Sequence, residues 1–151
     1  MTLKNFDQHV IAFFKKIFIP SAQFGLFVIF FWFGLLKVIG LSPASGLVQN
    51  LFEQTIPFMS FNVFLILFGL FEMLIGVLFL FKSMVRIVIP LLFIHMITTF
   101  GPLVFLTGET WQSFMVPTLE GQYIIKNLAL IALAIGIATH LHPAKNLREM
   151  V

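Results

Sequence analysis

Apolar residues run along most of the chain in four long blocks, separated by short stretches that carry the charged positions. A bilayer core about 30 Å thick is crossed by about 20 mostly apolar residues in a helix. The pattern therefore predicts membrane-spanning helices at about 20–41, 60–81, 87–106 and 121–141. No segment has the two-residue alternation that is typical of a strand, so we expect an all-α fold, an integral membrane four-helix bundle.

Prolines and glycines predict how these spans begin and end. We expect Pro20 and Pro90 in first turns, where the missing N–H is harmless. The Gly101-Pro102 pair predicts a kink or early unwinding near the end of the third span. The short connection at 82–86 requires the second and third spans to form an antiparallel hairpin.

Three segments outside the spans carry apolar side chains. Within 1–19 these recur every three or four residues, which predicts an amphipathic helix on the inner membrane surface. A second interfacial helix is predicted at 47–56, stopped by Pro57. Trp111, with Phe114 and Met115, makes the last outer loop either an interfacial aromatic belt or a lid. The final segment, 143–151, is predicted to be a cytoplasmic tail.

Composition and charge agree with a membrane protein and orient it. Hydrophobic residues make up 60% of the chain and charged residues 10%, against about 25% charged in soluble domains. The spans place basic residues on one side only: Lys4, Lys15, Lys16, Lys82, Arg86, Lys145 and Arg148. The other side holds only Glu53, Glu109 and Glu120. Because cytoplasmic flanks accumulate Lys and Arg, both termini are predicted to be cytoplasmic.

Several kinds of chemistry are excluded or unsupported. The chain has no cysteine, which excludes disulfides, thiolate metal sites and a catalytic thiol. No zinc motif, phosphate loop or nucleophile elbow is present, so no metal site is predicted. His95 and the pair His140 and His142 lie at different depths, which disfavours a bis-histidine haem. The basic residues form no stripe, so nucleic-acid binding is not expected.

Four charged or histidine side chains are predicted to lie within the hydrocarbon, namely Lys37, Glu72, His95 and Lys126. An ionisable group in hydrocarbon is costly unless it is paired or wetted, so each is a candidate functional residue. At 1.5 Å per residue, Lys37 and Lys126 lie about 6–8 Å below the outer surface, and Glu72 and His95 about 16–18 Å below it. Side chains lean toward the start of their helix, so Lys37 and Glu72 are predicted to meet as an ion pair. His95 can join them, while Lys126 can either join from above or extend to the outer surface.

These residues leave alternatives open. They can form a structural lock that sets the helix register, a functional cluster that binds a small polar or quinone-like head group or passes protons, or a face toward a partner protein.

Small residues spaced four or seven apart, as in Gly69 and Gly76, Ala132 and Gly136, and Ala134 and Ala138, predict close helix approach.

Three segments resemble the DoxX-like membrane protein family, most closely its YkgB-type branch. They are Phe31-Trp32-Phe33-Gly34-Leu35-Leu36-Lys37, Gly69-Leu70-Phe71-Glu72-Met73-Leu74-Ile75-Gly76 and Gly121-Gln122-Tyr123-Ile124-Ile125-Lys126-Asn127-Leu128. The resemblance covers about 20–142 and implies a four-helix bundle in a prokaryotic inner membrane. Some relatives are the small membrane subunit of a thiosulfate:quinone oxidoreductase, and others are linked to tolerance of reactive chlorine or to envelope functions. The candidate functional positions that carry over are Lys37, Glu72 and Lys126, but not His95.

The first functional hypothesis is a quinone-linked or redox-associated accessory subunit, whose cluster orients a quinone head group or a small oxidised-sulfur anion from the outer side. The alternative is a non-enzymatic membrane scaffold or stress-tolerance protein. A proton or solute conduit is disfavoured because four helices leave little room for a pore. The expected partners are the lipid bilayer, a membrane or redox subunit, or a second copy of the chain; whether the protein is an enzyme stays open.

Overall fold

The computed structural model describes residues 3–56 and 58–141, which form seven α-helices and a small β-hairpin. The long helices are α1 (Leu3–Val38), α3 (Phe61–Phe79), α4 (Val85–Phe100) and α7 (Leu119–Ala138). The short ones are α2 (Ser45–Thr55), α5 (Pro102–Phe105) and α6 (Thr107–Thr110), and a 3₁₀ turn covers Lys82–Met84. Four helical segments are long and apolar enough to cross a membrane, which confirms the all-α, multipass prediction.

The strands were not expected from the sequence. β1 (Trp111–Ser113) and β2 (Val116–Pro117) pair in an antiparallel hairpin between α6 and α7. Its turn requires Met115 to adopt a positive φ of 62°. The hairpin is too short to show a two-residue hydrophobic alternation, which is why the pattern did not reveal it.

The first helix differs from the prediction. α1 continues without a break through Pro20, and α4 begins early enough that Pro90 lies inside it, so neither proline is in a first turn. A proline keeps a φ close to helical values, although within a helix it removes one backbone hydrogen bond and its ring crowds the carbonyl four residues earlier. α1 has 36 residues, about 54 Å at 1.5 Å per residue. Because Phe18 packs against His140, just beyond the end of α7, the residues before Phe18 extend past the bundle.

Other boundaries agree with the prediction. The Lys82–Met84 turn joins α3 to α4 as an antiparallel pair, and the third span is interrupted at Gly101. An amphipathic α2 is present at Ser45–Thr55, with Phe52 buried. The predicted stop at Pro57 and the predicted tail 143–151 lie outside the described residues.

The bundle has two ends, which we name by their connections. The loop end holds α2, α5, α6 and the hairpin; the turn end holds the 3₁₀ turn and the last residues of α7. α1 packs mainly along α3, and α4 packs mainly along α7. The shared core lies toward the turn end: Ala22, Leu26, Phe30, Ile75, Phe79, Val85, Val88, Leu92, Met96, Ala134 and Ile137.

The long helices α1 and α3 approach each other closely at their glycines. A Cβ atom added to Gly34 would lie 2.5 Å from the Gly69 carbonyl oxygen, and one added to Gly76 would lie 2.8 Å from the Phe31 amide nitrogen. These contacts confirm the close approach predicted for Gly69 and Gly76. Gly136 packs against a side chain instead, since a Cβ there would meet the Phe18 ring at 3.1 Å.

Candidate ion cluster within the bundle

Three ionisable side chains from three helices meet inside the bundle. Lys37 comes from the last turn of α1, Glu72 from the middle of α3 and His95 from α4. Lys37 Nζ donates to Glu72 Oε2 at 2.6 Å, and His95 Nε2 lies 3.3 Å from Glu72 Oε1. The three residues are only 6%, 5% and 4% exposed. We call them the ion cluster; the predicted contact between Lys37 and Glu72 is present.

The glycines of α1 and α3 make this contact possible. A Cβ added to Gly69 would lie 2.6 Å from the Gly34 carbonyl oxygen and 2.9 Å from Lys37 Cβ. The lysine stem therefore passes over a backbone with no side chain, one turn from Glu72. The ion pair and the glycine contact belong to the same stretch of the α1–α3 interface.

His95 is surrounded mostly by aromatic rings. The Phe30 ring meets its imidazole edge-on with centroids 5.5 Å apart, and the Phe68 centroid lies at 5.1 Å. Lys37 Nζ is 5.5 Å from the centre of the same Phe68 ring, within the range of a cation–π contact. Thr99 Oγ1, one turn along α4, lies 3.2 Å from His95 Nε2.

With Glu72 ionised, the hydrogen-bond pattern favours one histidine tautomer. A carboxylate can only accept, so an ionised Glu72 requires His95 Nε2 to carry a hydrogen. In a neutral imidazole Nδ1 is then an acceptor, and it is buried without a hydrogen-bond partner among the described residues. A molecule that meets Nδ1 must carry an O–H or N–H donor; a protonated His95 would instead offer a donor there.

Lys126, the fourth candidate residue, does not belong to the ion cluster. Its side chain is exposed and its Nζ lies 5.1 Å from the centre of the Tyr123 ring. Lys126 follows the buried Ile124 by two positions, which is about 200° around the helix. The structure therefore does not have the placement in which Lys126 joins the cluster, and extension to the outer surface stays a prediction.

Sequence reasoning did not identify the neighbours that complete the site. Thr99 follows His95 by four residues, Phe68 precedes Glu72 by four, and Phe30 precedes Lys37 by seven. In a helix these spacings place both members of each pair on one face. The spacing is therefore the signal that would have found them.

The loop end covers the ion cluster with aromatic side chains. Phe52 of α2 contacts Phe64 at a centroid distance of 4.8 Å, Phe64 stacks on Phe68 at 5.5 Å, and Phe68 reaches His95. These rings form a continuous column from α2 to the buried imidazole. Phe64 and Phe68 are only half-buried.

The hairpin is held firmly at its base and exposed at its tip. Trp111 Nε1 donates to the Leu103 carbonyl at 3.0 Å, and Thr110 Oγ1 donates to the Leu106 carbonyl at 3.0 Å. Phe114 and Met115 at the tip are 93% and 74% exposed. The tip covers no part of the bundle in this conformation, which favours the belt interpretation of this loop over the lid.

Among the described residues no group of three or more His, Asp or Glu side chains could hold a metal ion. The groups that could meet a bound molecule are instead the Lys37 ammonium, which donates, and His95 Nδ1, which accepts while the imidazole is neutral. Comparison of the chain with protein-family models, curated proteins and solved structures finds no match.

Proposed function

We propose that the protein is a quinone-linked or redox-associated accessory subunit of a prokaryotic inner membrane, whose ion cluster binds the polar head group of a quinone. The observation that carries this proposal is the unpartnered Nδ1 of His95, in a side chain that is 96% buried. A buried polar atom costs free energy unless it is hydrogen-bonded. A head group bonded to Nδ1 removes that cost.

The chemistry of the cluster favours the reduced form of the ligand. While Glu72 is ionised and His95 neutral, Nδ1 accepts, and a quinol hydroxyl is a suitable donor. The Phe30, Phe68 and Phe71 rings make the surroundings of His95 apolar and aromatic, which suits the ring of a quinol. When bound, a quinone would supply the electron-transfer chemistry that the side chains of this chain do not.

The resemblance to DoxX-like proteins, some of which are subunits of a quinone-linked enzyme, supports the same proposal. The distribution of Lys and Arg supports an orientation with both termini in the cytoplasm and the loop end outside. In that orientation Lys37, in the last turn of α1, lies near the outer surface. The ligand then reaches the ion cluster from the outer leaflet.

Purification in mild detergent, followed by mass spectrometry and thermal unfolding, tests the proposal. A ligand that binds only the folded state raises Tm, and at 100 times its Kd it stabilises by about 2.7 kcal/mol. We expect a ubiquinol analogue with a short tail to raise the Tm of the wild type and of Lys126→Met, a control outside the ion cluster. His95→Phe, which keeps a ring but removes the nitrogens, should abolish the shift. No co-purified quinone and no shift in the wild type would refute the proposal.

A second candidate is a non-enzymatic membrane scaffold. The position of the Lys37–Glu72 ion pair, where α1 and α3 come closest, favours this candidate. An ion pair at that point would fix the register of the two helices by opposing movement of one along the other. In that case protein partners rather than quinone co-purify, and the ubiquinol analogue does not raise the Tm of the wild type.

A further inference from the structure

The ion cluster has different surroundings toward the two ends of the bundle. Toward the loop end, Thr99 follows His95 by one turn and places its hydroxyl 3.2 Å from Nε2. Lys37 lies in the last turn of α1, one residue before the helix ends at Val38. His95 is five residues from the end of α4 at Phe100, about 8 Å along the helix axis.

Toward the turn end, α1, α3 and α4 each contribute apolar side chains with no exposed surface. Leu92 and Val88 precede His95 on α4, Ile75 and Phe79 follow Glu72 on α3, and Leu26 lies below Lys37 on α1. All five are 0% exposed and belong to one continuous core. We call these five residues the apolar plug. Val88 is seven residues from His95, about 10 Å along the axis.

We propose that the ion cluster exchanges protons and small polar molecules with the loop end alone, and that the apolar plug seals it from the turn end. A proton or ion crossing the plug would need water or polar partners, and tightly packed apolar side chains hold neither. On the loop-end side the cover consists of half-buried Phe64 and Phe68 beneath α2. Phe52 of α2 packs on Phe64 of α3. At the surface, Asn50 of α2 donates a hydrogen bond of 2.9 Å to Glu109 of α6.

Two buried polar side chains, Glu72 and Gln23, lie on opposite sides of the apolar plug. The backbone of Glu72 is nearer to the turn end of α3 than to its start, but side chains lean toward the start of their helix, which for α3 is the loop end. Its carboxylate is held from that side by Lys37. Gln23 is also buried, but it lies three residues beyond Leu26 on α1, on the turn-end side of the plug.

This inference does not depend on which molecule the ion cluster binds. It requires that the protein does not conduct protons or solutes from one side of the membrane to the other. It also requires that any ligand or proton reaches His95 and leaves it by the same end.

Single-cysteine labelling tests the inference directly, because the chain contains no cysteine of its own. Thr99→Cys places a thiol beside the ion cluster on its loop-end side, and Val88→Cys places one in the plug. Two exposed reporters, Gly46→Cys on α2 and Ser83→Cys in the 3₁₀ turn, establish which end faces the outside of each vesicle preparation. A charged, membrane-impermeant methanethiosulfonate is applied to right-side-out and inverted vesicles.

We expect Thr99→Cys to be labelled about tenfold faster or more from the side that labels Gly46→Cys, since the reaction requires a thiolate in contact with water. Val88→Cys should resist labelling from both sides. Labelling of Thr99→Cys at similar rates from both sides, its protection from both sides, or labelling of Val88→Cys from the turn end would each overturn the inference.

A measurement on the wild type keeps the test independent of the variants. The protein is reconstituted into liposomes that contain a pH-sensitive dye, and a pH gradient is imposed. We expect the gradient to decay at the rate of protein-free liposomes. Faster decay that depends on the amount of protein would show that protons cross the plug, and would refute the seal.

Discussion

Gly34 lies where α1 and α3 come closest, so Gly34→Ala tests the packing that brings Lys37 to Glu72. A Cβ on Gly34 would lie 2.5 Å from the Gly69 carbonyl oxygen, 2.8 Å from the Met73 amide nitrogen and 2.9 Å from Met73 Cγ. Two of these atoms belong to the backbone of α3 and cannot rotate away. The helices must separate locally by at least 0.5 Å to bring the shortest contact to 3.0 Å.

The size of the effect follows from two opposing terms. Overpacking of this kind costs about 1–3 kcal/mol, while alanine in place of glycine in a helix recovers up to about 1 kcal/mol. We expect a net loss of about 1–2 kcal/mol for Gly34→Ala. The matched control is Gly25→Ala in the same helix, where an added Cβ would meet nothing within 4 Å. That variant has only the helix-propensity gain of up to about 1 kcal/mol.

Thermal unfolding in detergent, followed by circular dichroism, measures the difference between the two variants. For a chain of this length 1 kcal/mol corresponds to about 2–4 °C in Tm. Gly34→Ala should therefore unfold several degrees below the wild type, and Gly25→Ala at or above it. Equal Tm values for the two variants would show that α1 and α3 do not approach closely at Gly34.

Further substitutions separate the roles of the ionisable and aromatic residues. Lys37→Met and Glu72→Gln should each lower stability by about 3–5 kcal/mol, because each leaves a buried partner unpaired, and the double variant should lose less than the sum; additive losses would contradict the pair. Lys126→Met should change stability by less than about 0.5 kcal/mol, and a larger loss would show that Lys126 supports the fold. Thr99→Val should cost about 1 kcal/mol through its lost hydrogen bonds, and an unchanged Tm would contradict them. Phe114→Ser should leave the Tm in detergent unchanged, because the side chain is exposed. Brominated lipid should quench the fluorescence of Phe114→Trp, because we expect the tip to lie in the membrane interface; no quenching would contradict this.

The sequence by itself determined the membrane-spanning architecture and one contact of the site. Spans depend on local hydropathy, because the bilayer core demands a set length of apolar helix whatever the helix packs against. The meeting of Lys37 and Glu72 also followed from the sequence, because charge, depth and the lean of side chains are properties of single helices. Their 2.6 Å contact agrees with that reasoning.

Only the tertiary structure decided which faces of the helices point inward. α7 is apolar on nearly all sides, so its sequence does not show that Ile124 faces the bundle and Lys126 faces away. The packing of α4 places His95 beside Glu72 and leaves Nδ1 without a partner among the described residues. The continuity of α1 through Pro20 is likewise decided by the helical turns on both sides of it. A proline by itself fits either the first turn of a helix or an interior position with one backbone hydrogen bond missing. In each case the outcome depends on contacts between segments distant in sequence, which hydropathy along one chain does not record.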